Sequence, residues 1–531
     1  MSEATIPADL GAADPATGRV SRRGNPWWTL ISVAVGVMMV GLDGTVVSIA
    51  NPKIADDLHA SLADLQWITN AYLLALAALL IVGGKLGDRY GRRNVFLVGV
   101  VGFALMSVAI GLVDSTTGVI VFRALQGVFG ALLMPNTLAI LRGAFPAEKL
   151  NMAIGIWGAA SALSVAAGPI IGGLLVEHVN WQSVFFINAP LGAIALVIGV
   201  LVLSETKDES GNHRLDWPGI ISLSGSLFLL VFGLIKAQEW GWLSGKTLGF
   251  IAAGLLVMAA FVLIELRSRQ PLLPMRLFRN RSLSVGTAVV MINFFAMFGV
   301  LFFITLYLQN VQGLSPLESG ARTLPLSLAL MVSAPLGGAL TQRFGPRLPM
   351  VTGLLVVAVA LGSLIFLEPD SSYNALWPAF LLVGAGIGLV MTSSSDAIVG
   401  NASVNDAGIA GGLQSTALQF GGVIGTAILG SVLTSRIGSV LVEKLIAAGT
   451  PTDLAHQLNS AQELVGQGQA PVVTGVPAST QAAIVEGSHN AFMTGLHTSM
   501  IVAMIAALLG AAVALLVRRG ENSGAGMPAG H

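Results

Sequence analysis

Gly84-Lys-Leu-Gly-Asp-Arg-Tyr-Gly-Arg-Arg93 returns later in the chain as Gly338-Ala-Leu-Thr-Gln-Arg-Phe-Gly-Pro-Arg347, with five of ten positions identical and an aromatic pair besides. Each copy is a short charged loop that directly follows an apolar run, and a repeat of this kind marks a chain built from two similar halves. If each copy closes the second run of its half, the first half comprises six runs within residues 27–203. The second comprises six within 284–517. Segment 204–283 then carries two further runs, an inserted pair.

Working outward from the loops, runs of about twenty mainly apolar residues, the length that crosses a hydrocarbon core, lie near 27–50, 65–84, 95–113, 118–140, 152–176, 184–203, 217–236, 247–266, 284–307, 318–340, 348–367, 377–398, 408–434 and 497–517. The composition agrees: 54% of the 531 residues are apolar and 10% are charged, against about 25% charged in a soluble chain. The expected fold is all-α and integral to the membrane, with 14 spans.

Lys and Arg in short loops set orientation. With the N-terminus inside, Arg19, Arg22, Arg23, Lys85, Arg89, Arg92, Arg93, Arg142, Lys149, Lys207, Arg214, Arg267, Arg269, Arg276, Arg279, Arg281, Arg343, Arg347, Arg518 and Arg519 face the cytoplasm, 20 of the 27 basic residues. Both termini are therefore expected inside. Residues 1–26 read as a disordered cytoplasmic arm rather than a signal peptide, because the first apolar run is long enough to span and stay. Residues 518–531 read as a cytoplasmic tail, and 437–493 as a long external loop forming a solvated cap.

Net charge is zero and cysteine is absent, which leaves no field for nucleic acid and no disulfide chemistry. The seven histidines form no pair at metal-ligand spacing, so no metal and no cofactor is expected. Gly245-Lys246-Thr247 lacks the upstream glycine of a phosphate loop, Trp240 standing there instead. Gly384-Ala-Gly-Ile-Gly388 lies inside a span and suits close helix packing. No nucleophile–base pair is visible, so the chain is not read as an enzyme. What can drive work is an ion gradient.

Asp43 is the most informative residue. It is a carboxylate in the outer part of the first run, where an ionised Asp costs about 2.5–3.5 kcal/mol at mid-membrane, and low dielectric favours the neutral, proton-carrying form of a carboxyl group. It is the proton-site candidate. Arg123, in Arg123-Ala-Leu-Gln-Gly127 of the fourth run, is the intramembrane cation whose guanidinium needs acceptors, and Asp43 could supply them. The charged loop, with Gly84, Asp88, Arg89, Gly91 and Arg92 and its second copy at Arg343 and Gly345, can clamp and release the halves through charge-assisted bonds. Gly168-Pro169-Ile-Ile-Gly172-Gly173 places a kink and small residues in the fifth run, suited to a bend and a tight seal. Asn70, Gln126, Asn136, Trp157, Asn293, Phe294 and Gln419 are candidate cavity residues for substrate, the alternative being that the polar ones bond a neighbouring helix and the aromatics pack or sit in an interface belt. Glu318 and Arg322, four apart, are expected to satisfy each other.

Taken together, these motifs resemble those of the fourteen-span drug:proton antiporters of the major facilitator superfamily, over nearly the whole chain from Trp27 to Arg519. Asp43-Gly-Thr-Val-Val47 is similar to that family's first-span motif, Gly84–Arg93 to its cytoplasmic loop motif, Arg123–Gly127 to its proton-coupling motif, and Gly168–Gly173 to its antiporter motif. The resemblance implies two six-helix halves plus two added helices in a bacterial inner membrane. It also implies a monomer that exchanges protons for small amphipathic drugs or antibiotics by alternating access, and it names no accessory partner. The chain departs from the family pattern at Ser48, at Ile49-Ala50-Asn51-Pro52 and at Trp181-Gln182-Ser183. The stretch Gln414–Gln419 lacks the thirteenth-span acids of relatives that export dications. The expected cargo is neutral, monocationic or zwitterionic. A dedicated exporter of one endogenous metabolite, antibiotic or lipid is the alternative, and a non-transporting scaffold or sensor the weaker one.

Overall fold

The computed structural model describes residues 24–205, 216–268, 271–402 and 407–517. Arg19, Arg22, Arg23, Lys207, Arg214, Arg269, Arg518 and Arg519, and with them the expected cytoplasmic tail, lie outside these residues. Lipid offers backbone groups no hydrogen-bond partner, so each apolar run must satisfy its own as a helix. The helices are α1 (Pro26–Leu58), α2 (Leu62–Tyr90), α3 (Arg92–Gly111), α4 (Thr116–Ala144), α5 (Ala147–His178), α6 (Ser183–Phe186), α7 (Asn188–Val202), α8 (Trp217–Trp240), α9 (Gly245–Arg267), α10 (Arg281–Leu306), α11 (Pro316–Arg322), α12 (Leu324–Phe344), α13 (Arg347–Ser363), α14 (Tyr373–Val399), α15 (Ala407–Ala447), α16 (Thr452–Gln457), α17 (Gln462–Gly466) and α18 (Ala478–Ala514). Among the described residues there are 14 helices long and apolar enough to cross a membrane, counting α6 with α7 and α11 with α12. Pro190 and Pro325, each early in the second piece, lack the N–H that would continue the helix across the break.

The two charged copies, expected as loops, are almost wholly helical: only Gly91 in the first and Gly345 and Pro346 in the second fall between helices, because a single glycine turn is enough to reverse the chain. Gly91 and Gly345 end α2 and α12 with φ of 103° and 81° and extended ψ, a region that costs any side-chain-bearing residue about 1–3 kcal/mol. Arg89 lies 5.1 Å over the ring of Tyr90, and Arg343 lies 5.3 Å over that of Phe344. The Gly384–Gly388 stretch brings α14 against its neighbours: Gly384 and Gly388 meet Leu326 and Ser333 of α12, and Gly386 meets Gly353 of α13.

The segment 437–493, expected as a loop, is largely helical. At 41 residues, α15 is about 60 Å long, about twice the hydrocarbon thickness, and α18 rises beside it. Val440, Leu441 and Leu445 of α15 and Ile484, Ala491 and Phe492 of α18 are buried, and Gly487 lets α18 lie on the backbone of Leu445. Apolar faces that have each other as partners stay helical beyond the lipid. The short α16 and α17 close the hairpin.

Of the added helices, α8 packs on α9 and also touches both α2 and α15. Its Phe228 and Phe232 stand 6.2 and 5.8 Å from the Trp67 ring of α2. α9 leaves Leu255, Leu256, Leu263 and Leu266 exposed, an apolar face suited to lipid.

Candidate proton-coupling and transport site

The site is built where three glycines let helices approach. Gly127 lies against the backbone of Tyr72, so α4 sits close on α2, and Gly168 and Gly172 lie against Thr45 and Val46, so α5 sits close on α1. This brings Arg123 of α4 to Asp43 of α1, both buried, with Nη1 donating to Asp43 Oδ2 at 2.5 Å. Asp43 Oδ1 accepts from Gln126 Nε2 at 2.9 Å and from Asn188 Nδ2 at 3.2 Å. Gln126 also donates to Ser107 Oγ at 2.6 Å. The guanidinium has further acceptors: Arg123 Nε donates to Ile68 O at 3.0 Å and Nη1 to Gln126 Oε1 at 2.6 Å. It lies 4.2 Å over the Tyr72 ring, a favourable cation–π placement.

Three donors converge on Asp43, the coordination that suits a carboxylate, which only accepts. With one donor on Oδ2 and two on Oδ1, three of the carboxylate's roughly four acceptor positions are filled.

Beside this network lies a cavity lined by Gly44, Thr45, Val47 and Ser48 of α1, Thr69, Tyr72 and Leu73 of α2, Arg123, then Phe298, Leu301 and Phe302 of α10 and Thr426 of α15. It therefore touches helices from both six-span groups of the sequence. Arg123 belongs to both the cavity wall and the ion pair. The Tyr72 hydroxyl, buried, has no hydrogen-bond partner.

The seven residues expected to contact substrate do not line this cavity. Gln126 is a ligand of Asp43 instead. Asn136 Nδ2 donates to Gly83 O at 3.1 Å and Leu132 O at 2.7 Å, holding α4 to α2. Asn70 accepts from Thr426 Oγ1 at 2.6 Å across the α2–α15 seam. Asn293 donates to Ile387 O at 3.4 Å, Phe294 packs 6.1 Å from Phe298, and Gln419 and Trp157 each keep one buried polar atom without a partner. Glu318 caps α11 at Ser315, whereas Arg322 turns to Gln312 Oε1 at 3.1 Å, so the two do not pair. Asn188 and Ser107 were missed. An Asn two residues before Pro190 at the start of an apolar run was the available signal for the first; a lone serine in a span offers none.

Of the loop residues, Asp88 accepts from Arg92 Nε and Nη2 at 3.0 and 2.8 Å, and Gly84 lies against Pro135 of α4. Bonds between the two six-helix groups concentrate at the end away from this loop. There Gln309 Nε2 donates to Ile49 O at 3.0 Å and Leu317 N to Glu177 Oε2 at 3.0 Å. Gly173 abuts Pro316 and Leu317, and Gly320 abuts the Pro169 carbonyl. Gln467, in the turn after α17, bridges them: its Nε2 donates to Ala60 O at 3.1 Å while its carbonyl accepts from Asn310 at 2.7 Å. The end opposite the loop is closed.

Residues 33–426 match the family model described as Major Facilitator Superfamily. The chain is 49% identical over 524 residues to a "Tetracenomycin C resistance and export protein" of Streptomyces glaucescens, covering 98% of this chain and 96% of that one. It is 34% identical to the "Multidrug efflux pump LfrA" of Mycolicibacterium smegmatis, covering 94% and 97%. Among solved structures, a bacterial homolog of the human lysosomal transporter Spinster aligns with a TM-score of 0.60 at 18% identity, covering 92% of this chain and 96% of that one.

Proposed function

Since the chain belongs to the major facilitator superfamily, a family of transporters rather than enzymes, we propose that it is a proton-coupled antiporter exporting small amphipathic drugs or antibiotics by alternating access. The observation that carries this reading is the buried Asp43–Arg123 pair, whose Arg123 also walls a cavity between the helix groups. The Gly84–Arg93 loop and both termini face the cytoplasm of a bacterial inner membrane, and the closed end is external. The two groups α1–α7 and α10–α18 act as the moving halves, with α8 and α9 added between them.

In the proposed cycle, Asp43 releases its proton on the cytoplasmic side, and Arg123, Gln126 and Asn188 receive the carboxylate. Substrate enters from the cytoplasm or inner leaflet. Opening the seal at Gly173–Leu317 exposes the site outside, where substrate leaves and Asp43 is protonated; the neutral carboxyl then returns. One charge moving down 100 mV yields about 2.3 kcal/mol, and a tenfold gradient of neutral solute costs about 1.4 kcal/mol, so a single proton sustains about fortyfold accumulation. The gate residues Asp88, Arg89, Arg92 and Arg343 clamp the cytoplasmic ends when the chain faces out.

The test is transport driven by a pH gradient in proteoliposomes across a panel of neutral, monocationic and dicationic compounds; no proton exchange with any compound would overturn the proposal. A second reading, a dedicated exporter of one endogenous compound, is favoured by the 49% identity to a relative named for resistance to and export of a single compound, tetracenomycin C. Exchange confined to a single compound of the panel would select it.

A further inference from the structure

The added helices carry an acidic pair that the transport site does not use. Asp216 caps α8, its Oδ1 accepting from Gly219 N at 3.0 Å, and is 8% exposed. Glu265, near the end of α9 and 3% exposed, accepts at Oε2 from Leu273 N at 2.9 Å. Each carboxyl thus has one oxygen satisfied by backbone. The other two, Asp216 Oδ2 and Glu265 Oε1, are buried and have no partner among the described residues, and both lie beside the one point that a Cβ on Gly219 would occupy. The absence of a side chain at Gly219 is what lets them converge.

Two ionised carboxylates facing one another in a buried site repel, and each unpartnered oxygen carries its full desolvation cost. Lys85 is the cation that acts on both. One positive charge against two negative ones leaves a surplus that a single bound proton removes, and that proton supplies the missing O–H···O bond for both orphan oxygens at once. A metal ion fits less well, because no group of three or more His, Cys, Asp or Glu side chains converges among the described residues.

We propose that Asp216 and Glu265 form a proton-binding carboxyl pair, separate from Asp43, that holds one proton between Asp216 Oδ2 and Glu265 Oε1. Its setting gives it a mechanical role. Lys85, near the end of α2, donates to Pro271 O at 2.8 Å, while Glu265 holds Leu273, so the pair and its cation tie the segment leading into α10 to both the added helices and the gate end of α2. Loss of the proton releases charge repulsion at that junction.

The experiment is infrared difference spectroscopy of the purified full chain during a pH titration, following the C=O stretch of protonated carboxyl groups. The wild type and Asp43→Asn are expected to show one such band at neutral pH, shifted in heavy water; Glu265→Gln and Asp216→Asn should each lack it. Lys85→Met, which leaves the pair intact, should keep the band to higher pH. The proposal is overturned if the band survives both carboxyl substitutions, if it vanishes only in Asp43→Asn, if Lys85→Met leaves its titration unchanged, or if sodium at fixed pH removes it. Failure of proton antiport in liposomes would sink the role of Asp43 and leave this result standing.

Discussion

The Asp43–Arg123 pair makes a quantitative demand on a double-substitution cycle. Both side chains are buried, at 0% and 1% exposure, so removing one partner leaves the other charge without compensation, at about 3–5 kcal/mol for a buried pair. The two singles should differ in kind. Asp43→Asn strands a guanidinium that cannot lose its proton, and its penalty should be independent of pH. Arg123→Gln strands a carboxylate still held by Gln126 and Asn188. That carboxylate can take up a proton, so the penalty should be large at alkaline pH and shrink as pH falls. The double variant Asp43→Asn, Arg123→Gln removes both charges and should be more stable than the sum of the singles by about 2 kcal/mol or more. Thermal unfolding of the four purified proteins in detergent, at acidic and alkaline pH, measures the cycle. Additivity within about 0.5 kcal/mol, or equal pH dependence of the two singles, would refute the reasoning.

Asp43→Asn should abolish transport driven by a pH gradient while leaving substrate binding, measured by fluorescence quenching, within a few-fold; undiminished energised efflux sinks the proton assignment. Arg123→Lys keeps the charge but not the fork that reaches Asp43, Gln126 and Ile68 together, so efflux should fall by about tenfold or more, and full activity would contradict the geometry. Gly173→Ala sets a methyl group against the Leu317 Cα and the Pro316 carbonyl, each 2.7 Å from the new atom; it should keep the distal end from closing, read as faster labelling of a single cysteine placed at Gln309 in this otherwise cysteine-free chain. Gly91→Ala and Gly345→Ala should each lower stability by about 1–3 kcal/mol from positive φ, with a clash against Glu205 added at Gly91, measured by thermal unfolding, whereas Gly338→Ala, inside α12 where a Cβ meets nothing within 4 Å, should raise stability by up to about 1 kcal/mol.

Much of this was open to reading from the chain because the bilayer leaves few choices. An apolar run must be a helix, an Arg-rich loop resists translocation, and a charge inside a run needs a reason; those constraints act locally, and so the fourteen spans, the repeated charged segment, Asp43 and Arg123 stand out without a structure. The repeated glycines Gly91 and Gly345 belong to the same class, since the turn they make is a property of their own backbone. What tertiary structure alone decided are pairings between distant segments: Asn188 reaching Asp43 from 145 residues away, Gln126 turned to the ion pair rather than the cavity, Asp216 converging with Glu265. A membrane helix is apolar toward lipid and toward its neighbours alike, so periodicity does not say which face of α2, α10 or α15 meets the cavity, and the expected substrate contacts scattered for that reason. The hairpin of α15 and α18 is the converse case. Beyond the lipid nothing compels a helix, and only the burial of Leu445 against Gly487 makes one.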